Sequence, residues 1–203
     1  MADREEKKEI KVILVGEPGT GKTCLINVAT GGKFSQNMDS TIDSTFVTKK
    51  IVKDNKEYSL NLWDTAGQEK YHSVTRLFLK NSEIVIFVYA INEKQTFEGM
   101  KSYWVTTIKE SVGDEPILGI VGNKNDLYIQ EDVSEEEGKD FANKLGAKFK
   151  LVSAKEDPLG FINFLEELLD EFLKKKGMDV KKKDNTNINI NFEKPKKKKK
   201  KTC

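Results

Sequence analysis

Gly16-Glu17-Pro18-Gly19-Thr20-Gly21-Lys22-Thr23 follows the apolar β-branched run IKVILVG (10–16) and opens KTCLINVAT (22–30), which has helical spacing. A G-x-x-x-x-G-K-T loop between a strand and a helix is a phosphate cradle. Backbone N–H groups and the open helix N-terminus face an anion, and glycines keep side chains out of its path. In that setting Lys22 reaches the β and γ phosphates, and the Thr23 hydroxyl takes one position on Mg²⁺. Pro18 has no N–H and a fixed φ, so it adds rigidity and no hydrogen bond. The loop alone does not choose between an ATPase, a nucleotide kinase and a GTPase.

Outward from the loop, further apolar runs at 44–54, 57–64, 84–91, 116–123 and 148–153 read as strands, six in all with 10–16. Helical spacing recurs between most of them, at 73–81, 95–110, 134–146 and 159–176. Strand and helix alternate, so the fold class is α/β with parallel strands and helices on both faces. Only Asn55 and Lys56 separate 44–54 from 57–64, which makes that pair a hairpin. The expected sheet is mostly parallel with one antiparallel edge strand.

Charge divides the chain. Residues 174–203 hold 13 Lys and 3 acidic residues, whereas the rest holds 22 basic and 30 acidic residues under a whole-chain charge of +2. Asn repeats and the Lys196–Lys201 run bury too little apolar surface to offset ordering entropy, so 177–203 is expected to be a disordered basic tail. Residues 1–9 form a charged N-terminal extension, leaving 10–176 as one domain. Two cysteines, Cys24 and Cys203, suggest no disulfide framework. The apolar run Ile84–Ile91 falls far short of the roughly 20 residues that cross a bilayer. MADREEKKE lacks the apolar core of a secretory signal, and Ala2 stands where N-myristoylation demands glycine. A cytosolic protein is expected.

Two more stretches complete the chemistry. Asp64, at the end of the strand in LWDTAGQE, can hold the Mg²⁺ shell; Gly67 lets a backbone N–H approach the γ phosphate, and Gln68 can orient an attacking water. Asn123-Lys124-Asn125-Asp126 and Ser153-Ala154-Lys155 each follow a later strand. A carboxylate at Asp126 can accept from both N1–H and the 2-amino group of guanine, a pair of donors that adenine lacks. Guanine therefore fits, with discrimination of about 10⁴ to 10⁵ for a site built around such donors.

GEPGTGKT, Thr41, WDTAGQE, NKND and SAK, in this order over 10–175, resemble the five nucleotide motifs of Ras-superfamily small GTPases. The resemblance implies a three-layer P-loop G domain and a switch driven by GTP binding, hydrolysis and exchange. It implies Phe34 as an aromatic packing on guanine and Thr41 as a switch-I ligand of Mg²⁺ and γ phosphate. It extends nucleotide binding to Gly16, Glu17, Pro18, Gly19, Thr20, Gly21, Lys22, Thr23, Cys24, Gly67, Asn123, Lys124, Asp126, Ser153, Ala154 and Lys155. Metal binding falls to Thr23, Thr41 and Asp64, and catalysis to Gln68 and Lys22. Trp63 before DTAGQ, EKYHSVT after it, and Phe46, Trp63 and Phe78 in places like the aromatic triad that effectors read are similar to the Rab branch. Asp43, Ala90 and Pro18 depart from the usual Rab residues.

An exchange factor, a GTPase-activating protein and effectors at switches I and II are the implied partners, with the chain itself a monomer. Phosphoryl transfer gains from an Arg on the transition-state oxygens, and the chain has only Arg4 and Arg76. Both should lie away from the phosphates, so slow intrinsic hydrolysis with an Arg supplied in trans is expected. Cys203, beyond six Lys, can accept a prenyl group; lipid and basic cluster together would hold the protein on the cytosolic face of a membrane. Nucleic acid is not an expected partner. His72 is expected to be solvated or to face effectors, Cys24 to pack in its helix, and Tyr103 and Trp104 to face the sheet.

Overall fold

The structure, a computed structural model, describes residues 8–35, 45–65, 78–112 and 116–177. The expectations placed on Thr41, Gly67, Gln68, His72, Arg4, Arg76, Cys203 and the basic tail lie outside these residues. All six expected strands are present: β1 Lys8–Val15, β2 Thr45–Lys53, β3 Lys56–Asp64, β4 Ile84–Ala90, β5 Ile117–Asn123 and β6 Lys148–Leu151. They form one sheet in the order β2-β3-β1-β4-β5-β6. β2 is antiparallel to β3 at the edge, and every other pairing is parallel.

The hairpin turn is one residue earlier than the sequence suggests. Lys56 pairs with Lys53, and the two turn residues are Asp54 and Asn55, with φ of 48° and 59°. A two-residue turn that matches strand twist needs positive φ at both positions, which Asp and Asn adopt at lower cost than Lys.

Side chains alternate across the sheet and build two cores. Ile10, Val12 and Leu14 of β1 and Ile84, Ile86 and Val88 of β4 face one side. Ile13, Val15, Val85, Phe87 and Tyr89 face the other. On the first side lie α1 (Lys22–Ala29) and α5 (Pro158–Lys175). Phe161, Phe164, Leu165, Leu168, Leu169, Phe172 and Leu173 give α5 a stripe at helical spacing, all of it buried. The second side is covered by α2 (Lys94–Gly99), a π turn over Met100–Trp104, α3 (Val105–Ser111) and α4 (Glu135–Leu145). The expected single helix at 95–110 is thus widened by a π turn in its middle.

Local signals set the helix ends. The Ser134 hydroxyl accepts from the Glu137 N–H at 3.2 Å and Gly146 closes α4 at φ 66°. Asp157 accepts from the Gly160 N–H at 2.9 Å, with Pro158 at the first turn of α5. A short 3₁₀ helix spans Asn125–Gln130. Among the described residues no helix is long and apolar enough to cross a membrane.

Candidate nucleotide-binding site

Parallel strands place their C-terminal ends on one edge, and the expected site residues collect there. The loop 16–21 leaves β1, Asp64 ends β3, Asn123 ends β5, and Ser153-Ala154-Lys155 follows β6. This edge is where open α/β sheets bind ligands.

The loop runs directly over β4. Gly16 has φ 151°, and a Cβ there would stand 2.1 Å from the Val88 carbonyl oxygen. Gly21, at φ 89°, lies so close to Asn123 that a Cβ would meet its side-chain nitrogen at 2.4 Å. Gly21 also opens α1 and offers no side-chain cap. The first N–H groups of that helix therefore remain available to an anion.

Lys22 is buried, and its ammonium donates to the carbonyls of Gly16 at 2.8 Å and Glu17 at 2.9 Å. Burial pushes its pKa down to about 8, while the nearby Asp64 and Glu17 carboxylates pull it back up. The Thr20 hydroxyl donates to the Glu17 carbonyl at 2.9 Å. Thr23 donates its hydroxyl proton to the Asp64 carboxylate at 2.6 Å, which joins the loop to the end of β3. Two hard oxygen donors side by side are the donor type that Mg²⁺ takes, so this pair fits the expected metal. Beyond Asp64, the buried Thr65 hydroxyl donates to the Leu14 carbonyl at 2.7 Å and holds the strand end against β1.

Asn123 joins the phosphate side to the base side. Its amide donates to the Thr20 carbonyl at 2.8 Å, and its side-chain oxygen accepts from the Ala154 N–H at 3.2 Å. Lys124 follows at φ 66°, turning the chain sharply into the 3₁₀ helix, and the Asn125 N–H donates to the Val152 carbonyl at 3.0 Å. Asp126 accepts from the Ser153 hydroxyl at 2.6 Å and pairs with Lys155 at 3.8 Å. The same Ser153 oxygen accepts from the N–H groups of Lys155 and Glu156, at 3.2 and 3.0 Å. The phosphate loop, Asp64 and Thr65 of the third motif, Asn123–Asp126 and Ser153–Lys155 thus meet within one hydrogen-bonded frame; Thr41, Gly67 and Gln68 lie outside the described residues.

Phe34 is described but half exposed, and Cys24 is partly buried, its thiol 3.7 Å from the Ser35 carbonyl. Burial and the Asp64 charge raise the Cys24 pKa, which leaves it a poor thiolate. Sequence reasoning missed three contributors: the hydroxyl of Thr65, the side chain of Glu17 and Gly99. A glycine inside a helical pattern was a readable signal for the last.

A second surface lies beside Asp64, at the same end of β3. Phe46 and Trp63 stack with centroids 4.9 Å apart, and Phe78 stands 5.7 Å from Trp63. Phe46 is 51% exposed, which is high for an aromatic ring. Lys11 reaches beneath this cluster: its ammonium lies 4.8 Å from the Trp63 centroid and donates to the carbonyls of Phe78 and Lys80 at 2.5 and 2.8 Å.

A model described as Ras family matches residues 11–174. Ras-related protein Rab-21 of Geodia cydonium is 37% identical over 153 residues, 75% of this chain and 66% of that protein. Ras-related protein RabC of Dictyostelium discoideum is 41% identical over 157 residues, 75% of this chain and 79% of the relative. Ras-related protein Rab-21 of Homo sapiens is 34% identical over 175 residues, covering 86% of this chain and 77% of its own. With the fold, the motif order and these likenesses together, the chain belongs to the Ras family and is a Rab-like member of the small GTPases.

Proposed function

We propose that the chain binds GDP and GTP with Mg²⁺, hydrolyses GTP slowly, and acts as a switch in membrane traffic. The observation that carries this reading is the Asn123 bracket, which ties the phosphate loop to the loop supporting Asp126. Lys22 and the N–H groups at the start of α1 take the phosphates. Asp126, held by Ser153 and Lys155, retains lone pairs for the N1–H and 2-amino group of guanine, since an ionised carboxylate accepts about four hydrogen bonds. Thr23, Asp64 and Thr41 hold Mg²⁺, which supplies positive charge at the phosphate oxygens. Gln68 orients the attacking water, and a GTPase-activating partner supplies the missing Arg.

Phe46, Trp63 and Phe78 form the effector-reading surface, with an exchange factor acting on the nucleotide site. The Lys-rich tail and a lipid on Cys203 hold the protein on a cytosolic membrane face. Single-turnover hydrolysis tests the enzymatic part. Purified chain loaded with GTP should release phosphate over many minutes, faster with an activating protein, and Gln68→Leu should remove that stimulation. Complete hydrolysis within seconds without a partner, or equal stimulation of Gln68→Leu, would contradict it.

A further inference from the structure

A carboxylate in a phosphate-binding loop repels the ligand unless something holds it aside. Glu17 is such a residue, and its backbone is part of the cradle, since its carbonyl accepts from Lys22 and Thr20. Its side chain leaves the loop and crosses to the helix on the other side. There the indole N–H of Trp104 donates to the Glu17 carboxylate at 3.1 Å. Trp104 is almost wholly buried and ends the π turn Met100–Trp104. Gly99, one residue before that turn, supplies the space: a Cβ there would stand 2.6 Å from the carboxylate oxygen and 2.8 Å from the two carbons behind it. Glycine in a helix is unfavourable by about 1 kcal/mol relative to alanine, so a mid-helical glycine calls for a local reason. The Glu17 carboxylate is that reason.

We propose that Trp104 and Gly99 are positioning residues for the phosphate loop, forming a niche that draws the Glu17 carboxylate away from the nucleotide phosphates. The π turn belongs to the device, because it sets Trp104 against the loop in a helix otherwise packed on the sheet, and such widened turns are frequent at functional sites. The inference rests on the phosphate reading of the loop given above. It makes the helix face around Gly99 a lever on nucleotide release.

Gly99→Ala tests it with opposing signs. Alanine favours the helix, so a merely structural role predicts equal or greater thermal stability with unchanged nucleotide binding. The niche predicts that the carboxylate is pushed back toward the phosphates and that fluorescent GDP is released about tenfold faster, the lower end for a hydrogen bond to a charged group. In a Glu17→Ala background the same substitution should have no effect on release. The Trp104 indole N–H resonance gives a readout independent of nucleotide, and should lose its downfield shift and exchange protection in Glu17→Ala and in Gly99→Ala. Unchanged release in Gly99→Ala, or equal acceleration with and without Glu17, would overturn the niche. A chain that binds no GDP would overturn the phosphate reading, and the niche with it.

Discussion

Replacing Asn123 by alanine removes both contacts of the bracket at once. Asn123 is 1% exposed and lies among backbone groups that water does not reach. The substitution strands the Thr20 carbonyl and the Ala154 N–H, bonded at 2.8 and 3.2 Å in the intact protein. Each unsatisfied buried group costs about 1–3 kcal/mol. Two at the lower end give about 2 kcal/mol, or roughly a 30-fold change in an equilibrium constant. Both groups belong to loops that close on the ligand, so most of this loss should appear as faster GDP release. Stopped-flow release of fluorescent GDP, with circular dichroism to verify the fold, measures it directly. A release rate within twofold of the intact protein would refute the reasoning, even with a lowered melting temperature, because the bracket would then serve folding alone.

Lys22 makes nucleotide binding depend on pH. Burial holds its pKa at about 8, so the ammonium is present at neutral pH and is lost as pH rises past 8 in the nucleotide-free protein. GDP affinity should fall toward pH 9, by up to about tenfold per unit, with proton uptake on binding visible by calorimetry in buffers of different ionisation heat. Stability of the nucleotide-free protein runs the other way: the unfolded lysine keeps its proton up to about 10.5, so the burial cost fades and stability rises from pH 8 to 10.5. A flat affinity over this range would argue against Lys22 as the phosphate ligand. Thr23→Ala removes the hydroxyl beside Asp64, and its GDP release should already be fast with Mg²⁺ and respond little to EDTA, whereas the intact chain should respond strongly. Phe164→Ala should cost about 3–5 kcal/mol in denaturant unfolding, because that fully buried ring packs on β5 at Gly119, where a Cβ would come within 3.0 Å of it.

Sequence patterns and tertiary contacts divided the labour of revealing this protein. Apolar runs interrupted by helical spacing made the six strands readable, since a strand buried on both faces, such as β4, must be apolar at every position. The hairpin turn slipped by one residue because register depends on which residues tolerate positive φ as well as on where the runs end. The π turn at Met100–Trp104 was not readable from periodicity, which hardly changes over one widened turn. NKND and SAK were readable as motifs, but the aim of the Asn123 side chain was not. Its reach to Thr20, 103 residues earlier, exists only once β1 and β5 lie in one sheet. Trp104 was legible as a packed ring; its bond to Glu17, across 87 residues, was not.

Selection of the purine edge by Asp126 is the claim on which the rest depends, and nucleotide competition measures it most directly. With Mg²⁺ present, the intact chain should bind GDP and GTP and ignore ATP by about 10⁴-fold, and Asp126→Asn should turn that preference toward xanthine nucleotides. ATP bound as tightly as GTP, or an Asp126→Asn variant that still prefers guanine, would contradict the account.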